Sequence, residues 1–241
     1  MSSHLFRSIG FAAALACLTS PAVGLAAVVT GTDTGVFVNP VPSSGVTVTG
    51  VGTSHVTYGV GSDSLPNSLT YAAVGSISST TETPFKLGTL TYFNGTTVSN
   101  TTPDQISLQI SLNLTQPGAV NQNFNFALNL VSTPNTSDPD ASADYVYFPS
   151  SFSSTTFMSE GVTYTLRVLG FENVVGDGFL DSNSSQLHVR EQGTASADLY
   201  GVVTTDTSGV VPEPASIVSA AVACVFGLAG LSRRARNAAR A

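Results

Sequence analysis

Two histidines, two acidic clusters and a pair of tyrosines are the side chains between residues 28 and 210 whose types and spacing could do chemistry. His55 and His188 titrate nearest neutral pH and are the first candidates for acid–base work. His188 alternates with Leu187 and Val189 and precedes Arg190 and Glu191, the pattern of a polar strand face; His55 sits beside Ser54 and Thr57 in a similar setting. A triad can assemble from distant positions, but no Gly-x-Ser-x-Gly turn presents a serine nucleophile in this region. With both cysteines outside it, the region lacks the usual zinc donor set.

The carboxylates gather twice. Asp138, Asp140 and Asp144 fall in one polar stretch, and Glu172, Asp177 and Asp181 flank Gly176 and Gly178. Calcium takes several oxygens from flexible acidic loops, so either cluster is a candidate structural calcium site. Aspartate, serine and glycine are also chosen for turns on conformational grounds, and neither cluster has the EF-hand spacing. A glycosidase would need two carboxylates at a defined separation, which sequence does not give. Tyr145 and Tyr147 share one strand face, with Val146 and Phe148 on the other. They form either an exposed platform for a sugar ring or part of a core, and the core is the commoner fate of paired aromatics in a sandwich strand. The expectation is therefore no catalytic residue, no metal and no cofactor.

These residues need a scaffold, and the scaffold reads as β. Residues 28–210 contain Lys86, Arg167 and Arg190 as their only bases against fourteen acids, a formal charge of −11. Such a balance argues against nucleic acid as a partner. Ser, Thr, Asn and Gly supply the polar surface instead, as in secreted β-proteins. Ile106, Leu108, Ile110, Leu112 and Leu114 interleave with Ser107, Gln109, Ser111 and Asn113. The same alternation returns in Phe124, Phe126, Leu128 and Leu130, after a Gln116-Pro117-Gly118 turn, and predicts an antiparallel pair. Further strands are expected over 46–51, 55–60, 68–74, 85–93, 143–148, 162–169, 186–191 and 197–204, with a long loop over 131–144. The fold class predicted is all-β, an antiparallel β-sandwich of immunoglobulin-like or jelly-roll type spanning 28–204.

Both ends read as addresses. Arg7, the apolar stretch Ile9 to Leu18, and the small residues Gly24, Ala26 and Ala27 make a secretory signal peptide over 1–27, cleaved after Ala26 or Ala27. The partners this requires are the Sec translocon and signal peptidase. A stalk over 205–210 leads to Val211-Pro212-Glu213-Pro214, an uncharged apolar run from Ala215 to Leu231, and a tail with Arg233, Arg234, Arg236 and Arg240. Seventeen residues at about 1.5 Å each just span a hydrocarbon core. The basic tail sets that tip in the cytoplasm, so the domain lies outside.

The three-part segment 211–241 resembles the PEP-CTERM sorting signal of exopolysaccharide-producing Gram-negative bacteria. That resemblance implies an exosortase partner, a transient stay in the inner membrane, removal of the helix, and delivery to the cell surface or outside. A second resemblance lies in Thr83 to Asn94, which ends Thr91-Tyr92-Phe93-Asn94, and in the stretches Tyr164 to Phe171 and Ala197 to Thr204. These are similar to the THxN family, related to choice-of-anchor K domains, with Tyr92 where the signature has histidine. It implies a secreted β-rich domain and carries over no catalytic residue. The function expected is a non-enzymatic structural or adhesive role in exopolysaccharide or biofilm; the alternatives are a carbohydrate-binding module and, after it, a hydrolase.

Overall fold

The computed structural model describes residues 26–42, 45–61, 65–176 and 180–205. The signal peptide apart from Ala26 and Ala27, and the sorting residues Val211, Pro212, Glu213, Pro214, Arg233, Arg234 and Arg236 with the apolar run between them, lie outside the described residues. Among the described residues there is no helix, and so none long and apolar enough to cross a membrane. The described residues are all-β, built of antiparallel curled sheets in a sandwich-like arrangement.

The strands are β1 (Val28–Val41), β2 (Val48–Thr49), β3 (His55–Tyr58), β4 (Asn67–Ala73), β5 (Ile77–Thr80), β6 (Phe85–Phe93), β7 (Gln105–Gln116), β8 (Val120–Val131), β9 (Asp144–Tyr147), β10 (Ser154–Ser159), β11 (Val162–Gly176), β12 (Gln186–Val189) and β13 (Thr194–Thr205). One sheet runs β12-β9-β8-β7-β1-β5 and the other β10-β11-β13-β6-β4-β3-β2. Thr205, expected in the stalk, is the last residue of β13 and pairs with Tyr164.

The expected hairpin is β7 with β8, in register from Gln105↔Asn129 to Leu114↔Val120. Its alternation does what the period requires. Ile106, Leu108, Ile110, Leu112 and Leu114 are all at most 1% exposed and meet Phe124, Phe126, Leu128 and Leu130 in one core cluster. The second sheet closes that core with Leu69, Tyr71, Leu87, Leu90, Tyr92, Leu166, Phe171 and Leu199. Burying each large apolar side chain stabilises the fold by roughly 1.5–3 kcal/mol before conformational entropy is set against it.

Three strands were not expected: β1, β5 and β10. The inward face of β1 is Val29, Gly31, Asp33, Gly35 and Phe37, an apolar run broken by two glycines and an acid. The gap is a seat for Tyr71 of β4, which packs so close that a Cβ on Gly35 would lie 2.2 Å from its ring. Beside it, Asp33 accepts a hydrogen bond from the Gly75 N–H at 2.7 Å through Oδ1, while Oδ2 and the Tyr71 hydroxyl have no partner among the described residues. Burial raises the Asp33 pKa, opposed by the backbone donors at Gly75 and Val74.

A carboxyl group with a raised folded-state pKa contributes stability that is complete below its unfolded pKa and lost as pH rises through the folded one. Asp33→Asn is therefore expected to raise Tm by a few degrees at neutral pH, with the gain vanishing in acid where aspartic acid is already neutral. Thermal melts across that pH range check it; an equal shift at every pH would assign the effect to packing instead.

Candidate functional site

The acidic residues of the 131–144 loop do not converge on one point. Asp138 Oδ1 accepts from the Asp140 N–H at 3.0 Å, and Asp140 pairs with Arg190 at 3.1 Å. Asp144, at the head of β9, turns inward and is only 3% exposed. In the second cluster Glu172 is exposed on β11, Asp181 bonds His188, and Asp177 lies outside the described residues. Among the described residues no three His, Cys, Asp or Glu side chains come together as a metal cage.

Asp144 instead organises a buried polar knot at one end of the sandwich. Its Oδ1 accepts from the Thr133 N–H at 2.7 Å and the Thr133 hydroxyl at 3.2 Å. Its Oδ2 accepts from Asn67 Nδ2 at 3.2 Å, Ser132 Oγ at 3.3 Å and, at longer range, the Tyr92 hydroxyl at 3.5 Å. Asn67 uses its other end to accept from the Gly95 N–H at 2.7 Å. Tyr92 also donates to Asn94 Oδ1 at 3.3 Å, and Asn94 Nδ2 donates to the Val189 carbonyl at 2.9 Å. Burial raises the Asp144 pKa, with the Thr133 and Asn67 donors pulling it back. It also raises Tyr58 and Tyr92, which bond to each other, so both phenols are neutral. Tyr92 and Asn94 of the 91–94 segment thus lock β6 to the loops around β9 and β12.

Beside the knot an open groove of about 390 Å³ is lined by Thr97, Asn100, Thr102, Asp104, Val131 and Thr133 among others. Among the described residues its lining carries one acid, Asp104, and no base.

Sequence reasoning favoured the core for Tyr145 and Tyr147, and here the structure corrects it. Val146 and Phe148 face the core, whereas both tyrosines are half-buried on the outer face of the first sheet. The cause is register: β9 pairs Val146 with Leu130 and Leu187, both core residues, which turns the tyrosines outward. Their rings lie in parallel planes, centroids 5.4 Å apart and 1° from parallel. His188, opposite Tyr145 on β12, stacks on it at 3.8 Å and 10°. His188 Nδ1 hydrogen-bonds the Asp181 carboxylate, which fixes the imidazole and through it the Tyr145 ring. Burial, then Asp181 and Tyr147, raise the Tyr145 pKa, so its hydroxyl keeps its proton. His55 lies elsewhere, exposed on β3 with Nδ1 at 2.8 Å from the Thr70 hydroxyl.

The ridge of three rings continues into a row of amides. Gln186, Tyr147, Asn129 and Gln105 are consecutive cross-strand partners on β12, β9, β8 and β7. Gln105 donates to Asn129 at 2.8 Å, and four residues along Gln109 donates to Asn125 at 2.9 Å. The outward positions of β1, β7, β8 and β9 bear no Lys, Arg, Asp or Glu, since Asp33 and Asp144 point inward. The signal for this face was present in the Asn and Gln alternation of β7 and β8; the strand that adds the aromatics was not identifiable as its neighbour.

No protein-family model matches this chain, and no curated protein shows a significant similarity to it.

Proposed function

We propose that this chain is an exported protein of the cell surface or extracellular matrix, sorted by a PEP-CTERM signal. An exosortase processes it at the inner membrane, and the β-domain then serves a non-catalytic structural or adhesive role in exopolysaccharide. The observation that carries the reading is the order of three independent parts: Val211-Pro212-Glu213-Pro214, the uncharged run Ala215 to Leu231, and the tail bearing Arg233, Arg234 and Arg236. Proline fixes φ and has no backbone donor, so the sequence Pro212-Glu213-Pro214 suits recognition as an extended segment by a protease groove. In this reading the inner membrane is a transient anchor, reached through the Sec translocon, and signal peptidase frees the other end. Ala27 is tied into the sandwich, its N–H donating to Thr81 Oγ1 at 3.0 Å and its carbonyl accepting from the Thr81 N–H at 2.8 Å. That favours cleavage after Ala26, so that Ala27 stays with the domain.

The non-catalytic role is supported by the setting of the histidines, which contact a carboxylate, a tyrosine ring and a threonine on strand faces outside the groove. The intact mass of protein recovered from envelope and medium tests the reading. The expected species begins at Ala27, ends near Pro212, and disappears when Glu213→Ala is introduced. Full-length protein held in the membrane and unaffected by the substitution would make it a plain tail-anchored protein. A second reading, a carbohydrate-binding module, is favoured by the outward turn of Tyr145 and Tyr147.

A further inference from the structure

The outer face of the first sheet combines features that recognise a hydroxyl-rich, uncharged polymer. Flat aromatic rings pack against the C–H faces of sugar rings, while their hydroxyls and neighbouring amides exchange hydrogen bonds with sugar hydroxyls. Tyr147 and the face of Tyr145 that His188 leaves uncovered supply parallel rings, and His188 with Asp181 holds Tyr145 in place before any ligand arrives. Rings already fixed lose little conformational entropy on binding. The cross-strand row of amides sets donors and acceptors beside the rings on a single surface. Primary amides are suited to this because each offers both a donor and an acceptor to a hydroxyl.

Charge selects among the polymers that could lie there. The domain's cations are committed or on other surfaces: Lys86 pairs with Asp198 at 2.6 Å, Arg190 with Asp140, and Arg167 lies exposed on β11 of the second sheet. On the face itself the titratable groups are His188 and the exposed Asp181 carboxylate bonded to it, so no unpaired cation awaits an anionic chain, and the adjoining groove adds Asp104. An acidic polysaccharide would meet a net repulsive domain, and an uncharged one would not.

We propose that Tyr145, Tyr147 and His188, together with Gln186, Asn129 and Gln105, form a binding site for an uncharged polysaccharide chain. This deepens the reading of the protein as a matrix component and rests on it for where the polymer is met. Affinity electrophoresis of the full chain in mild detergent, through gels containing hydroxyethylcellulose, galactomannan or alginate, tests the site. Retardation is expected with an uncharged polymer and not with alginate. Tyr147→Ala is expected to lower the affinity about tenfold, the loss of one anchoring aromatic. Asn129→Ala, which removes an exposed amide and no ring, is expected to lower it several-fold, and Thr156→Ala on the exposed edge strand β10 to leave it unchanged.

The proposal is overturned by no retardation with either uncharged polymer, by retardation only with alginate, or by equal retardation of the wild type, Tyr147→Ala and Asn129→Ala. It is also overturned if sedimentation shows that the face pairs two copies of the chain and the tyrosine substitution separates them. Failure of the sorting reading registers separately, in the envelope and medium masses, and leaves the gel result standing.

Discussion

Asp144→Ala is expected to be among the most damaging single substitutions in the domain, lowering stability to urea by about 3 kcal/mol or more. The carboxylate accepts from the Thr133 N–H and hydroxyl, Asn67, Ser132 and Tyr92. Alanine removes every one of these acceptor sites and leaves donors such as the Asn67 amide buried without a partner. Each stranded donor costs about 1–3 kcal/mol, although Ser132 and Thr133 can turn their hydroxyls elsewhere. Asp144→Asn separates hydrogen bonding from charge. Its oxygen still serves the Thr133 side, and its NH2 can donate to the Tyr92 and Ser132 hydroxyls, leaving the contact with Asn67 Nδ2 as the main conflict. A cost of about 1–2 kcal/mol is expected for that variant.

The two variants also differ from the wild type in pH dependence. Burial raises the Asp144 pKa, so the folded state binds this proton more tightly than the unfolded chain does. The wild type gains its full contribution from this group below the unfolded carboxyl pKa and loses it as pH rises through the folded one. Asp144→Asn should lack that slope. Urea midpoints for the wild type, Asp144→Asn and Asp144→Ala in acid and at neutrality decide the matter. If Asp144→Ala costs no more than a surface change, the knot does not hold this end of the sandwich.

The strands legible in the sequence are those whose period-two pattern is intact. β7 and β8 were legible where apolar and polar residues alternate, over 106–114 and 124–130, and so was their antiparallel pairing; the register was not, nor the start of β8, where Gln122 falls on the inward face. β6 was legible to the residue, Phe85–Phe93. β1 was not, because Gly31, Asp33 and Gly35 fall on its inward face, where a strand is expected to show apolar side chains. There glycine answers a close neighbour rather than a turn, and that neighbour, Tyr71, is 36 residues away in sequence. β10 was hidden by its Ser and Thr content. Its link to β11 also escaped, since the turn at Glu160 and Gly161, both with positive φ, uses glutamate where Asn or Asp is usual. The site followed the same logic. The outward amides of β7 and β8 were written in the alternation, but the facing of Tyr145 and Tyr147 depended on which partner claimed Val146, a tertiary fact.

The seat of Tyr71 gives the second large effect. Gly35→Ala is expected to destabilise the domain by about 2–3 kcal/mol, through overpacking and not through backbone strain, since Gly35 does not occupy the left-handed region. The added Cβ would lie 2.2 Å from Tyr71 Cδ1 and 2.5 Å from Cε1, closer than real carbon contacts allow. The ring cannot retreat, because its far end rests on Gly88, where a Cβ would sit 2.5 Å from both Cζ and the hydroxyl oxygen. Two glycines on opposite sheets therefore form the walls of one slot. A shorter side chain at 71 should relieve the clash at Gly35 while leaving a cavity of its own. Tyr71→Leu alone is expected to cost stability, yet Gly35→Ala added to it should cost much less than it does in the wild type. A coupling of about 1–2 kcal/mol in the double-mutant cycle is the expected result. Strict additivity of the two substitutions would mean that the ring moves aside, and that the broken inward face of β1 is not fitted to Tyr71.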